Sequence, residues 1–153
     1  MPRVDRPDIR RGDDDFGRFK AELLLDNVGL TQFAVFNETL WPGRVSSKSH
    51  WQAQEGQMVY VLEGNVTLIE DGVATDLSSG QAATFKANVP VGHHLGNRTG
   101  TPVCYFVIGT RSPTEKVKYP TTSETVTIDA DEKIHRDATG TVTRRVLDTR
   151  KVT

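Results

Sequence analysis

Cysteine is almost absent: Cys104 is the single one in 153 residues, so no disulfide can form within the chain. That fits a reducing compartment, and Cys104, inside the apolar run PVCYFVIG, reads as a small core side chain rather than a nucleophile. Long hydrophobic runs are missing too. No stretch approaches the ~20 apolar residues of a membrane-spanning helix, and the N-terminus, MPRVDRPDIRRGDDD, is charged where a signal peptide would be apolar. These absences predict a cytoplasmic protein with no membrane partner. Charge of one sign is not in excess either. Lys and Arg number 19 against 20 Asp and Glu, a formal net charge of −1, which removes the electrostatic reason to expect nucleic acid. Finally, no long segment repeats its apolar residues at helical spacing.

What is present is β-structure. A chain of this length is one ordinary domain and can bury roughly 70% of its unfolded surface, enough for a core without staples. LTQFAVFNETLW alternates and is rich in Phe, Val and Thr until Pro42-Gly43 stops it. SHWQA, QMVYVL and VTLIE follow, the last two separated by Glu63-Gly64-Asn65, and Asp71-Gly72 has the form of a two-residue hairpin turn. VATDL, QAATFKA, VPVGHHLGN and VCYFVIGTR complete a series of short strands at regular spacing, the pattern of an antiparallel sandwich or barrel. We divide the chain into an N-terminal arm and first strand (1–29), a barrel (30–111) and a C-terminal extension (112–153). In the first part, residues 1–15 read as a loosely held arm, FGRFKAELLLDNVG as a short helix or a strand, and Asp26-Asn27 as a turn. The extension is polar and proline-marked, with TVTI and TVTRRV as short strands. It is too poor in apolar residues for a second core and is expected to lie over the barrel or a neighbouring subunit.

Positions two apart on a strand share a face, so SHWQAQEGQMVYVLEG should point His50 and Gln52 one way and Glu55 and Gln57 together. Trp51 and Tyr60 should then face away from the cavity, and His94 should face away from His93. PGRVSSKSHWQAQEGQMVYVLEG supplies Gly43, His50 and Gly64, and GQAATFKANVPVGHHLGN supplies Gly80, His93 and Asn97. This pair of segments resembles the two conserved motifs of the cupin superfamily, and in particular its small single-domain, sugar-phosphate-isomerase-like bacterial members. The resemblance covers about Leu30 to Arg111. It implies an all-β fold, the double-stranded β-helix or jelly-roll barrel, and a homodimer.

Metal-binding cupins use three histidines and a glutamate. By position, His50 and His93 remain, Gln52 replaces the second histidine, and Gln57 replaces the glutamate. Lys86 stands where a proline is usual and Asn88 where a glycine is usual. Two neutral amides in place of an imidazole and the only anion should leave no metal or a weakly bound Zn, Ni, Mn or Fe ion. Glu55, about 6.6 Å along the strand from Gln57, is an accessory donor if Gly56 hosts a bulge, and otherwise a solvated loop carboxylate. Lys86 is a surface lysine, or an anchor for an anionic group at the barrel mouth. Three readings stay open. One is a small-molecule-binding cupin with a decayed metal site, in which His50, Gln52, Gln57 and His93 hold a polar ligand, sugar-like or a carboxylate. Another is a metal-dependent isomerase- or dioxygenase-like enzyme on an altered two-His, two-Gln site. The third is metal-free, epimerase-like acid–base chemistry, with a histidine as base and Glu55 or a tyrosine as partner.

Overall fold

A computed structural model describes residues 8–14, 16–25, 29–129 and 131–147. Among them there is no helix, and fourteen strands run in chain order. β1 (Asp8–Asp14), β2 (Gly17–Leu23), β3 (Phe33–Leu40), β5 (Gln57–Glu63), β8 (Ala82–Phe85) and β10 (Val103–Thr110) form a six-stranded sheet in the order β1-β2-β3-β10-β5-β8. β6 (Asn65–Glu70), β7 (Val73–Ser78) and β9 (His93–Gly96) form a three-stranded sheet in the order β7-β6-β9. Every pairing is antiparallel. This is the all-β, jelly-roll arrangement expected from the alternating segments.

The two sheets close on one apolar core. Leu40, Val59, Val61, Val103, Tyr105 and Val107 from the larger sheet meet Val66, Leu68, Leu77 and Leu95 from the smaller one. Alternation explains the selection: Val59 and Val61 point in while Tyr60 between them is exposed, and each fully buried aliphatic side chain contributes about 1.5–3 kcal/mol. Turn chemistry holds the strands in register. Asp71 and Gly72 both have positive φ, 49° and 77°, the backbone a two-residue hairpin between β6 and β7 demands. Gly64 (φ 79°) joins β5 to β6, where a Cβ would lie 3.0 Å from the Val103 side chain and 3.1 Å from the Pro102 carbonyl.

Two expectations change. Residues 8–14 are not a loose arm: they pair along their length with β2, from Asp8 opposite Leu23 to Asp14 opposite Gly17. Their charged side chains suit an edge strand, where burial is not required. FGRFKAELLL is accordingly strand rather than helix. Residues 1–7 of the arm, the Asp26-Asn27 turn and residues 148–153 of the extension lie outside the described residues. The extension forms β11 (Thr114–Tyr119), β12 (Glu124–Asp129), β13 (Glu132–Arg136) and β14 (Val142–Leu147), a meander that meets the barrel by pairing β11 with β4 (Trp51–Gln52). Val126 and Ile128 are its buried apolar residues among those described, few enough to agree with its polar composition.

Candidate functional site

His50 and His93 come from the two separated motifs, and the chain brings them side by side. They form an isolated antiparallel bridge, His50 N–H donating to the His93 carbonyl at 3.2 Å and His93 N–H to the His50 carbonyl at 3.0 Å. Their rings lie 4.9 Å apart. Both line a cavity of about 210 Å³ inside the barrel, together with Gln57 at the start of β5. The volume falls below the ~300–1,000 Å³ of drug-sized sites and suits one small molecule.

The hydrogen bonds fix which ring nitrogen carries the proton. His50 Nδ1 lies 2.9 Å from the Lys48 carbonyl. A carbonyl can only accept, so Nδ1 carries the proton and Nε2 presents a lone pair. His93 is held on one side by the Val91 backbone carbonyl and stacks on Phe85, 3.7 Å between centroids at 4°. Its Nε2 is buried with no hydrogen-bond partner. Burial pushes the His93 pKa down to about 4, with the neighbouring His50 adding to the shift, and burial lowers His50 as well. Both imidazoles are therefore neutral acceptors near pH 7.

Two cavity groups were not found from sequence. Glu38 on β3 and Tyr105 on β10 stand opposite each other in the strand pairing, and the Tyr105 hydroxyl donates to Glu38 Oε1. Burial raises the Glu38 pKa, against the opposing pull of the Tyr105 hydrogen bond and the Arg44 charge. Burial, then Glu38, pushes the Tyr105 phenol well above its usual range. A signal was available: Glu38 alternates in phase with Phe36 and Leu40, so an acid sits on the face the core claims.

Gln52 departs from expectation. β4 ends at Gln52 and β5 begins at Gln57, so alternation does not carry across 53–56. Gln52 lines a second cavity of about 220 Å³, and its Nε2 donates to Glu55 Oε2 at 3.4 Å. The cause is Glu115 of β11. Its carboxylate accepts the backbone N–H groups of Ala53 (3.0 Å), Gln54 (2.9 Å) and Glu55 (2.7 Å) and turns the chain there. Glu55 is not a solvated loop residue: it is 6% exposed and accepts Ser112 N–H at 3.0 Å, outside the barrel cavity. Lys86 is exposed at the second cavity. Trp51 also faces that cavity, with the Lys118 ammonium 4.9 Å from its ring centroid. Phe85 and His93 line both cavities and so form the wall between them. His94, expected outside, lines the barrel cavity. It also lines an outer cavity with Arg44 and Arg98.

The model of the cupin domain matches residues 36–109, the segment holding both histidines. The structure of a sugar phosphate isomerase from a cupin superfamily, from Silicibacter pomeroyi, is 31% identical over 94% of this chain and 92% of its own, with a TM-score of 0.70. The chain belongs to the cupin superfamily. Two further cupin-fold matches bear on the fold alone. A structure from Acidithiobacillus ferrooxidans has a TM-score of 0.79 at 23% identity, covering 94% of this chain and 92% of its own. A polyketide cyclase from Streptomyces resistomycificus has 0.59 at 19%, covering 72% and 79%. No curated protein matches.

Cupins commonly hold a transition metal, and the donors here fit one poorly. Among the described residues no group of three His, Cys, Asp or Glu side chains is placed to hold an ion. The motif positions inside the barrel supply two imidazoles and one neutral amide, since Gln52 belongs to the other cavity. That leaves a divalent ion without its usual third and fourth ligands and without an anion at the ligand positions.

Proposed function

We propose that this cupin binds one small, hydroxyl-rich molecule in its barrel cavity through His50, Gln57 and His93, without a resident metal ion. The observation that carries this reading is the His93 Nε2 atom, buried and unpartnered beside a second cavity imidazole whose Nε2 carries a lone pair. A buried polar atom left unsatisfied costs about 1–3 kcal/mol, and a ligand hydroxyl donated to it removes that cost. Gln57 adds an amide that both donates and accepts. The Silicibacter pomeroyi relative, a sugar phosphate isomerase by name, supports the sugar framework of such a ligand but not its lack of charge. The test is a panel of monosaccharides and polyols followed by calorimetry on wild type and His93→Ala. Binding that weakens about tenfold or more in the variant supports the reading. Unchanged binding refutes it.

A second reading follows from Glu38. A carboxyl whose pKa is raised by burial, facing two neutral imidazoles, is suited to moving a proton on the bound molecule. This is the metal-free acid–base alternative with Glu38 in the carboxylate role. Incorporation of solvent deuterium into a bound sugar, lost in Glu38→Gln, would establish it. Unlabelled sugar after prolonged incubation would exclude it.

A further inference from the structure

We infer that the barrel cavity selects uncharged, hydroxyl-rich molecules over anionic ones, phosphate esters and carboxylates included, and that Glu38 sets this preference. The inference deepens the ligand-binding reading above and rests on it. Among the described residues, the cavity wall carries no lysine or arginine. Its titratable side chains are Glu38, Tyr105 and the three imidazoles of His50, His93 and His94. An ordinary imidazole is mostly neutral at pH 7.5, and His50 Nδ1 already donates to the Lys48 carbonyl. Tyr105 keeps its proton and spends it on Glu38 Oε1, which leaves Oε2 for whatever enters.

The nearby cations are committed elsewhere. Arg44 donates Nη1 to the Gly17 carbonyl at 2.6 Å, and its guanidinium carbon lies 4.6 Å from the Phe19 ring centroid. It lines a separate outer cavity with Gly43 and Arg98 and reaches Glu38 only through space. Lys86 stands on the far side of the Phe85–His93 wall. An anion entering the barrel would lose its water, meet no cation and face a carboxyl. A hydroxyl can donate to an imidazole or to Glu38 and accept from Gln57, so it loses little. Of the two ligand chemistries left open by the sequence, sugar-like and carboxylate, the charge inventory favours the first.

The test uses the whole chain with ¹³C-labelled histidine, and glycerol, acetate and inorganic phosphate as probes at pH 7.5. Imidazole chemical shifts of His50 and His93 report occupancy. The expected result is saturable shifts with glycerol and affinity for acetate and phosphate weaker by about tenfold or more. In Glu38→Gln, which keeps a carbonyl oxygen for Tyr105, that gap should narrow about fivefold or more. Acetate or phosphate binding as tightly as glycerol in the wild type overturns the inference and leaves the ligand-binding reading standing. So does an unchanged gap in a folded Glu38→Gln protein. No saturable shift with any probe, in either protein, sinks both. The wild-type comparison stands whether or not the variant folds.

Discussion

Removing the Glu115 carboxylate should unfasten the loop between β4 and β5. Glu115 is 3% exposed, and its oxygens accept the backbone N–H groups of Ala53, Gln54, Glu55 and Lys116. In Glu115→Ala these donors lose their acceptor together. A buried donor left unsatisfied costs about 1–3 kcal/mol. The Glu55 amide is buried and bears this in full, whereas Gln54 is exposed and regains water. We expect a loss of about 3 kcal/mol from the alanine change. Glu115→Gln should cost less, about 1–2 kcal/mol, because one carbonyl oxygen survives while the amide NH₂ opposes a backbone N–H. Urea unfolding gives the totals, and native-state hydrogen exchange locates them. The amides of 53–55 should exchange by local opening in Glu115→Ala, before the β3, β5 and β10 amides do. A loss below about 1 kcal/mol, with those three amides still protected, would refute the reasoning. It would mean that the β4–β11 pairing, not the carboxylate, shapes the loop.

Other outcomes follow from the same contacts. Gln57→Glu places a carboxylate in the cavity that already holds His50 and His93, so Zn or Mn affinity measured by chelator competition should rise about tenfold or more. Gln52→His should give a smaller gain, because that side chain serves the second cavity, and the reverse order would contradict the geometry. Asn97→Ala should destabilise by about 2–3 kcal/mol in thermal or urea melts, since Asn97 is 2% exposed, donates to the Leu40 and Thr101 carbonyls and accepts from Thr99. The depressed His93 pKa makes a pH prediction. The unfolded chain binds the proton near 6.5 and the folded chain near 4, so this contribution is present above 6.5 and lost as pH falls towards 4. After allowance for solvent reaching the ring, the loss is about 1–2 kcal/mol. Glu38, raised, acts in the opposite sense just above its ordinary pKa. Urea midpoints that fall between pH 7 and 5 in wild type, and fall less in His93→Gln, are expected, and equal slopes would contradict the assignment.

The fold was legible because alternation and turn chemistry agree along most of the chain. Leu40, Val59, Val61, Val103 and Val107 occupy the inward positions that a period of two assigns them, and Asp71-Gly72 turns where the sequence says it must. The misreadings share one physical cause: each assumed a regularity that a distant contact interrupts. Gln52 and Gln57 were assigned to one site by their motif positions, but Glu115, some sixty positions later, bends the segment between them. The charge of 8–14 suggested a loose arm, yet an edge strand can carry charge and still pair. Glu38 and Tyr105 escaped notice because each lies in a strand whose apolar neighbours explained it well enough. Only the register, which sets them opposite one another, joins them into a site.

That register also accounts for a redistribution of charge in the barrel. At the positions where a metal-binding cupin has its glutamate and the second histidine of its pair, this chain has amides, and its cavity carboxyl sits on β3 instead. The move changes what the carboxyl can do. A ligand-position carboxylate would share an ion with His50 and His93, and its charge would be cancelled. Glu38 is held instead by the Tyr105 phenol, with Arg44 acting only at a distance, so among the described residues no cation sits against it inside the cavity. With neutral imidazoles on the facing wall, the interior becomes a field of acceptors. A molecule rich in donors and free of negative charge satisfies such a field, and a polyol is the simplest chemistry that does so. If Gln57→Glu and Glu38→Gln together restored a metal site and admitted phosphate, position of the carboxyl alone would separate the two kinds of barrel. If the pair of changes left both properties as they are, the difference would have to lie in the loop that Glu115 holds.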